Sequence, residues 1–269
     1  MDCSLFTALD QRLGANGWRG RWAHKGGGKP DGCATLVQAP WTCREWTVLP
    51  LATPGERGPA AGHIALLAMV ERPGSPPVLV ANAHVRWDAP ETRQEEREGL
   101  AQGRRLLAYL LDQRCARAAC GDFNAEPTSS LLDAFRFGRF LDAHEPEAFT
   151  CNAGKHAKKI DYILHSQEWE GSGLPSTTVT DDMRLPSPTE PSDHVPLFAA
   201  LRSPAWRDRQ EMAARANTAP DDRRKAVFSK NQSFERTRLR SLFFWKKTRN
   251  KLHWKGRLKP HLAKWERMR

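Results

Sequence analysis

The sequence predicts a layered α/β protein that continues into a strongly basic segment, and three observations carry that expectation. Short, nearly continuous apolar runs recur up to Leu201, helical stretches lie between them, and the charge changes character beyond that point. Runs that are apolar at consecutive positions suit strands buried on both faces. Strands and helices mixed along one chain point to α/β or α+β layers. No internal repeat is visible.

The elements follow in order. Ser4 is a candidate cap for a short helix with Leu5, Leu9 and Leu13 on one side and Gly14 as its stop. "GCATLVQ" from Gly32, "HIALLAMVE" from His63 and "PVLVANAHV" from Pro77 read as strands. The Gly and Pro content of "RPGSPP" makes it the loop between the last two. Residues 91–113 read as a long helix, charged early and Leu-rich late. "ARAACGD" is a further strand, and Pro127 then sits where a first helical turn would begin. "KIDYILH" from Lys159 and "HVPLFAAL" from His194 are the last two strands.

Composition sets bounds on function. The longest apolar run, Ile64 to Val70, is far too short to span a bilayer. The opening "MDCSLFTALD" has no signal-peptide pattern. The cysteines at 3, 33, 43, 115, 120 and 151 form no CxxC pair and have no partnering His cluster, so free thiols in a reducing compartment are expected and zinc is not. Residues 203–269 hold 20 of the 42 Lys and Arg but only 6 of the 31 Asp and Glu, leaving a near-neutral body. Two parts are therefore expected, a domain over residues 1–202 and a basic, Trp-containing tail over 203–269. Its "FFWKKTRNKLHWKGRLK" stretch could track phosphates and stack bases, or be a largely disordered basic extension, and the charge pattern does not choose. The absence of signals suggests the cytoplasm, and the "KKTRNK" run admits the nucleus.

Four short motifs carry chemistry: "NAHVRWD" with Asn82 and His84, "GDFNAEP" with Asp122 and Asn124, "KIDYIL" with Asp161, and "PSDHVP" with Asp193 and His194. Each sets a polar side chain at or beside the end of an apolar strand. Side chains two apart on an extended chain share a face, so Asp122 and Asn124 are expected to point into one pocket. Singly, each motif fits a structural role, such as Asp and Asn bonding their own backbone in a turn. Together they suit a hard divalent cation and an in-line attack on phosphate.

"GDFN", "IDYI" and "SDH" resemble the signature of the endonuclease/exonuclease/phosphatase superfamily. Within it, "KPDGCATLV", "VANAHVRWD" and "EPSDHVPLFAAL" are most similar to the group of nocturnin and the carbon catabolite repressor-type deadenylases. The resemblance runs from about residue 2 to about residue 202 and implies a DNase I-like four-layer α/β sandwich. It also implies roles. Asp193 would help bind Mg²⁺, with Mn²⁺ as a second candidate. Asp161 would fix the tautomer of His194, which would contact the scissile phosphate. Asp122 would orient and deprotonate the attacking water, Asn124 would place it, and His84 would stabilise charge on phosphoryl oxygens.

Family members begin with a strand bearing a metal-linked Asn and a second strand ending in "QE", whose Glu binds Mg²⁺. Neither has a counterpart here, so an N-terminally incomplete sandwich with an unpaired edge and exposed apolar surface is expected. The function implied is a Mg²⁺-dependent phosphodiesterase releasing 5′-mononucleotides from poly(A) RNA. Two alternatives stay open: a phosphatase on a small nucleotide such as a dinucleotide phosphate, and a catalytically inactive module that binds RNA or protein.

Overall fold

The computed structural model describes residues 1–52 and 62–202, apart from residues 153, 155, 175 and 189, together with the pair Leu239–Arg240. Apart from that pair, the expectations for segment 203–269 lie outside the described residues. The elements are α1 (Cys3–Gly14), β1 (Trp18–His24), β2 (Gly32–Gln38), β3 (Thr42–Pro50), β4 (Ile64–Glu71), β5 (Val78–His84) and α2 (Glu98–Leu111). There follow β6 (Ala116–Asp122), α3 (Ser130–Phe137), β7 (Phe140–Asp142), β8 (Asp161–Ser166), β9 (Glu170–Leu174), β10 (Phe198–Arg202) and the short β11 (Leu239–Arg240).

A six-stranded sheet in the order β3-β4-β5-β6-β8-β7 forms the centre, parallel only at β5–β6. Its residues sort by a period of two, as a pleated strand requires. Ala65, Leu67, Leu79, Ala81, Ala83, Ala119, Tyr162 and Leu164 face α2 and α3. Ala68, Val70, Val78, Val80, Ala118, Cys120 and Ile163 face the opposite way, against Leu197, Ala199 and Leu201 around β10. Ile64 and Leu66 meet Ala23 and Cys33 of β1 and β2. Two separate small sheets, β1-β2 and β11-β10-β9, cover that second face. The helix α1 lies against β1 and β2. Helix, sheet, split sheet and helix make the expected four-layer α/β sandwich. The apolar residues named on the second face are all buried, with Val37, Trp41, Cys43 and Trp46 partly buried against them.

Several local expectations are corrected. The cap of α1 is Asp2, whose Oδ1 accepts from the Leu5 N–H at 2.9 Å, while Ser4 only donates its hydroxyl to the same oxygen. The single helix expected over 91–113 is divided into a 3₁₀ turn at Gln94–Glu96 and α2. Asp88 sets that start, because its two carboxylate oxygens accept from the Gly99 and Leu100 N–H groups at 2.9 and 3.0 Å. A side chain at Gly99 would place its Cβ 2.1 Å from the Arg86 carbonyl oxygen, so the close approach requires glycine. The helix expected at Pro127 begins later, at Ser130, with the Ser129 hydroxyl accepting from Leu132 N–H. "HVPLFAAL" forms a strand only from Phe198. Strands β1 and β3 were missed because each has solvent on one side and a mixed rather than continuous apolar pattern.

Candidate active site

Strand register assembles the site. His84 ends β5, and its parallel partner on β6 is Asp122. The antiparallel partner of Asp122 on β8 is Asp161. Three adjacent strands therefore set His84, Asp122 and Asp161 in one row, at the carboxyl ends of β5 and β6. Open α/β sheets place ligands at such strand ends. Gly121 permits this row. Its φ is +135°, and a Cβ there would lie 1.9 Å from the Ala83 carbonyl oxygen. The motif's glycine is thus a structural requirement that motif reading passed over.

His194 joins from outside the sheet. It pairs with Cys151 in an isolated antiparallel bridge, and Val195 N–H donates to Thr150 O at 2.8 Å. The Thr150 hydroxyl in turn accepts from the Ile160 and Asp161 N–H groups. One threonine thereby ties the start of β8 to the segment that carries His194. Its Nδ1–H donates to Asp161 Oδ2 at 2.6 Å, and both side chains are buried. A carboxylate on Nδ1 fixes the tautomer and leaves Nε2 as the lone-pair nitrogen of the neutral ring. The expected Asp161–His194 pair is present.

Asp122 is fully buried and faces two ways. Its Oδ1 accepts from the Asn124 N–H at 2.9 Å, and its Oδ2 lies 3.6 Å from His84 Nε2. The turn reading of Asp-Phe-Asn holds at Oδ1, while Oδ2 faces His84. The expectation that Asp122 and Asn124 share a strand face does not hold. The strand ends at Asp122, and Asn124 sits at φ 48°, a left-handed conformation that Asn tolerates. Its amide instead donates to Val85 O at 2.8 Å, and Tyr162 holds the turn by donating its hydroxyl to Ala125 O.

Asp122, Asp161 and His194 each offer one ligand atom within 4.8 Å of the others. Asp193, on the bend just before His194, is outside this cluster. Two carboxylate oxygens, Asp161 Oδ1 and Asp193 Oδ1, are buried with no hydrogen-bond partner. Buried acceptors of that kind call for a donor or a cation, and hard oxygen ligands suit Mg²⁺ or Mn²⁺. The residues present fit such an ion. Asp2 is engaged as the cap of α1.

Sequence reasoning missed the far side of His84. Lys25, almost wholly buried, stands 2.8 Å from His84 Nδ1 and 2.9 Å from Asp31 Oδ2. His63 donates from Nδ1 to His84 O at 2.8 Å and accepts from Lys29 Nζ at 2.7 Å. Burial lowers the His63 pKa to about 4, with Lys29 and Lys25 adding to the effect against its bond to the His84 carbonyl. No pattern in "HKGGGKPD" marks Lys25, because its partner is 59 residues away. Beside Asn124 lies a shallow depression lined by Trp87, Pro90, Arg97, Glu126, Ser129 and Lys158.

Residues 1–194 match the model of the Endonuclease/Exonuclease/phosphatase family. Among solved structures, the chain is similar to ANGEL2, described as a 2′,3′-cyclic phosphatase in complex with adenosine-2′,3′-vanadate. That likeness has a TM-score of 0.62 at 19% identity, covering 76% of this chain and 80% of that one. It is also similar to the human Nocturnin catalytic domain with bound sulfate, with a TM-score of 0.56 at 22% identity over 74% and 76% of the two chains. A third likeness is the mannosyl-6-phosphatase Bt3783 of Bacteroides thetaiotaomicron, with a TM-score of 0.51 at 16% identity over 73% and 81%. A comparison with curated proteins finds no match. Among the described residues, no helix is long and apolar enough to cross a membrane.

Proposed function

The chain belongs to the endonuclease/exonuclease/phosphatase family, and from that premise we propose that it is a divalent-metal-dependent hydrolase of nucleotidic phosphodiesters, acting at the 3′ end of adenosine-rich RNA. One observation carries the reading. Asp122, Asp161 and His194 converge within 4.8 Å, and Asp161 Oδ1 is buried with no hydrogen-bond partner. Asp161, through that oxygen, would hold Mg²⁺ or Mn²⁺, and Asp193, whose Oδ1 is likewise buried without a hydrogen-bond partner, is the second candidate ligand. The ion would supply charge stabilisation to a phosphoryl oxygen.

The remaining chemistry belongs to side chains. Asp122, buried beside His84, orients water for attack and receives its proton. His194, held by Asp161, presents Nε2 to the reacting phosphate, and a proton taken up there from solvent passes to the leaving oxygen. His84 supports the negative charge that builds on phosphoryl oxygens, and Asn124 shapes the turn that borders the pocket. Catalysis of this kind is positioning and electrostatics. The depression beside Asn124 supports a nucleotidic substrate, since it offers the exposed Trp87 ring with Arg97 and Lys158. An aromatic face stacks a base and cations meet its phosphates.

A second reading, a phosphatase on a small nucleotide, is favoured by the adenosine-2′,3′-vanadate held by ANGEL2. One assay separates the two. The full chain is incubated with 5′-labelled oligo(A) ending in a 3′-hydroxyl, or with adenosine 2′,3′-cyclic phosphate, with Mg²⁺ or with chelator. Stepwise shortening that chelator abolishes supports the first reading, and turnover of the small substrate alone supports the second. Neither, in a preparation that melts cooperatively, overturns the hydrolase reading and favours an inactive binding module.

A further inference from the structure

We propose that Lys25 is a positioning residue that keeps the ring proton of His84 on Nε2, the nitrogen facing Asp122, by occupying the ring's other nitrogen. An ammonium carries only N–H donors, so the atom that meets it must be an acceptor. Lys25 Nζ lies 2.8 Å from His84 Nδ1, which is therefore the lone-pair nitrogen. The single proton of the neutral ring then sits on Nε2, the atom that faces Asp122 Oδ2 at 3.6 Å. The other tautomer would set an imidazole N–H against an ammonium N–H with no acceptor between them.

The surroundings hold this arrangement in place. Lys25 Nζ is also 2.9 Å from Asp31 Oδ2, and its backbone N–H donates to Asp31 O at 3.0 Å, closing the loop between β1 and β2. Burial works against the Asp31 carboxylate, but the hydrogen bond and charge of Lys25 outweigh it and hold its carboxyl below the usual range. Lys25 Nζ thus has a carboxylate acceptor on one side and His84 Nδ1 on the other. From the other side, His63 fixes the His84 carbonyl, and the two rings meet edge to face with centroids 5.8 Å apart. The ring of His84 is gripped at Nδ1 and its backbone at O, so Nε2–H is left to project into the row of strand ends.

The consequence, which rests on the hydrolase reading, is that His84 serves as a fixed donor to a phosphoryl oxygen and not as a base. The test does not rest on that reading. Imidazole ¹⁵N–¹H correlation spectra of the full chain at neutral pH report the tautomer directly, with the His84 signals identified by their loss in His84→Gln. A single Nε2–H form in the unsubstituted protein, giving way to an Nδ1–H population in Lys25→Met, is expected. Lys25→Arg, which keeps a donor, should preserve the Nε2–H form. An Nδ1–H form in the unsubstituted protein overturns the proposal even if Lys25→Met fails to fold. So does an unchanged spectrum in a folded Lys25→Met. Kinetically, Lys25→Met should lower kcat roughly 100-fold, the scale of losing one oriented donor, with KM nearly unchanged. If the spectra behave as stated while no substrate is turned over, the tautomer assignment stands and the hydrolase reading falls.

Discussion

The two histidines beside Asp122 are held at the same ring atom by opposite charges. On one flank, Asp161 accepts the Nδ1–H of His194 at 2.6 Å. On the other, Lys25 meets Nδ1 of His84 at 2.8 Å. An acceptor on Nδ1 leaves a lone pair on Nε2, whereas a donor there leaves a proton on it. One buried partner therefore equips His194 to accept a proton, and the other equips His84 to donate a hydrogen bond. A site needs both, and the difference lies in the residue behind each ring.

The sharpest way to break the comparison is to exchange the partner charge. Asp161→Asn offers His194 a donor in place of an acceptor, and hydrolysis of oligo(A) should fall roughly 1000-fold while the fold persists, as a ring held in the wrong tautomer implies. Asp122→Asn keeps the oxygen that accepts from Asn124 but removes the charge between the two rings. Its loss should also be about 1000-fold, within the range for a general base, and circular dichroism should be unchanged. The Lys25→Met substitution, at roughly 100-fold, affects only the donor flank.

Smaller effects test the frame that holds the flanks together. Gly121→Ala forces a Cβ onto the Ala83 carbonyl at a backbone conformation L residues avoid. It should cost about 3 kcal/mol in urea unfolding, and it should shift the His84 and Asp122 signals together, because one register sets both. Smallest is a pH effect. Burial lowers the pKa of His63 to about 4, so between its ordinary 6.5 and that value the unfolded chain binds a proton that the folded chain refuses. Stability is full above pH 6.5 and falls as pH is lowered through the window. His144 and His165, also lowered by burial, act in the same sense. Urea melts should show the decline, and His63→Gln should make it shallower.

Much of this architecture is legible along the chain. The strands buried on both faces, β4, β5 and β6, announce themselves as largely apolar runs, and β8 does so but starts two residues later and ends one residue later than its run. His84 and Asp122 are visible as the polar residues on which such runs stop. Half-exposed strands such as β1 and β3 leave a mixed pattern that the turn residues around them do not resolve. The Asn124 expectation failed for a related reason. Period-two reasoning applies only while the chain remains a strand, and this strand ends at Asp122.

The layered fold class, the core strands and four motifs rich in candidate ligands can be read along the chain, because each follows from local burial and from residue chemistry. Which of those groups meet depends on contacts between distant segments. The row His84, Asp122, Asp161 is a matter of register between three strands, and His194 arrives through a bridge to Cys151. Lys25 reaches His84 across 59 positions of sequence. Local pattern sets what each strand buries, whereas the partner of a buried imidazole is set by how distant segments close on one another.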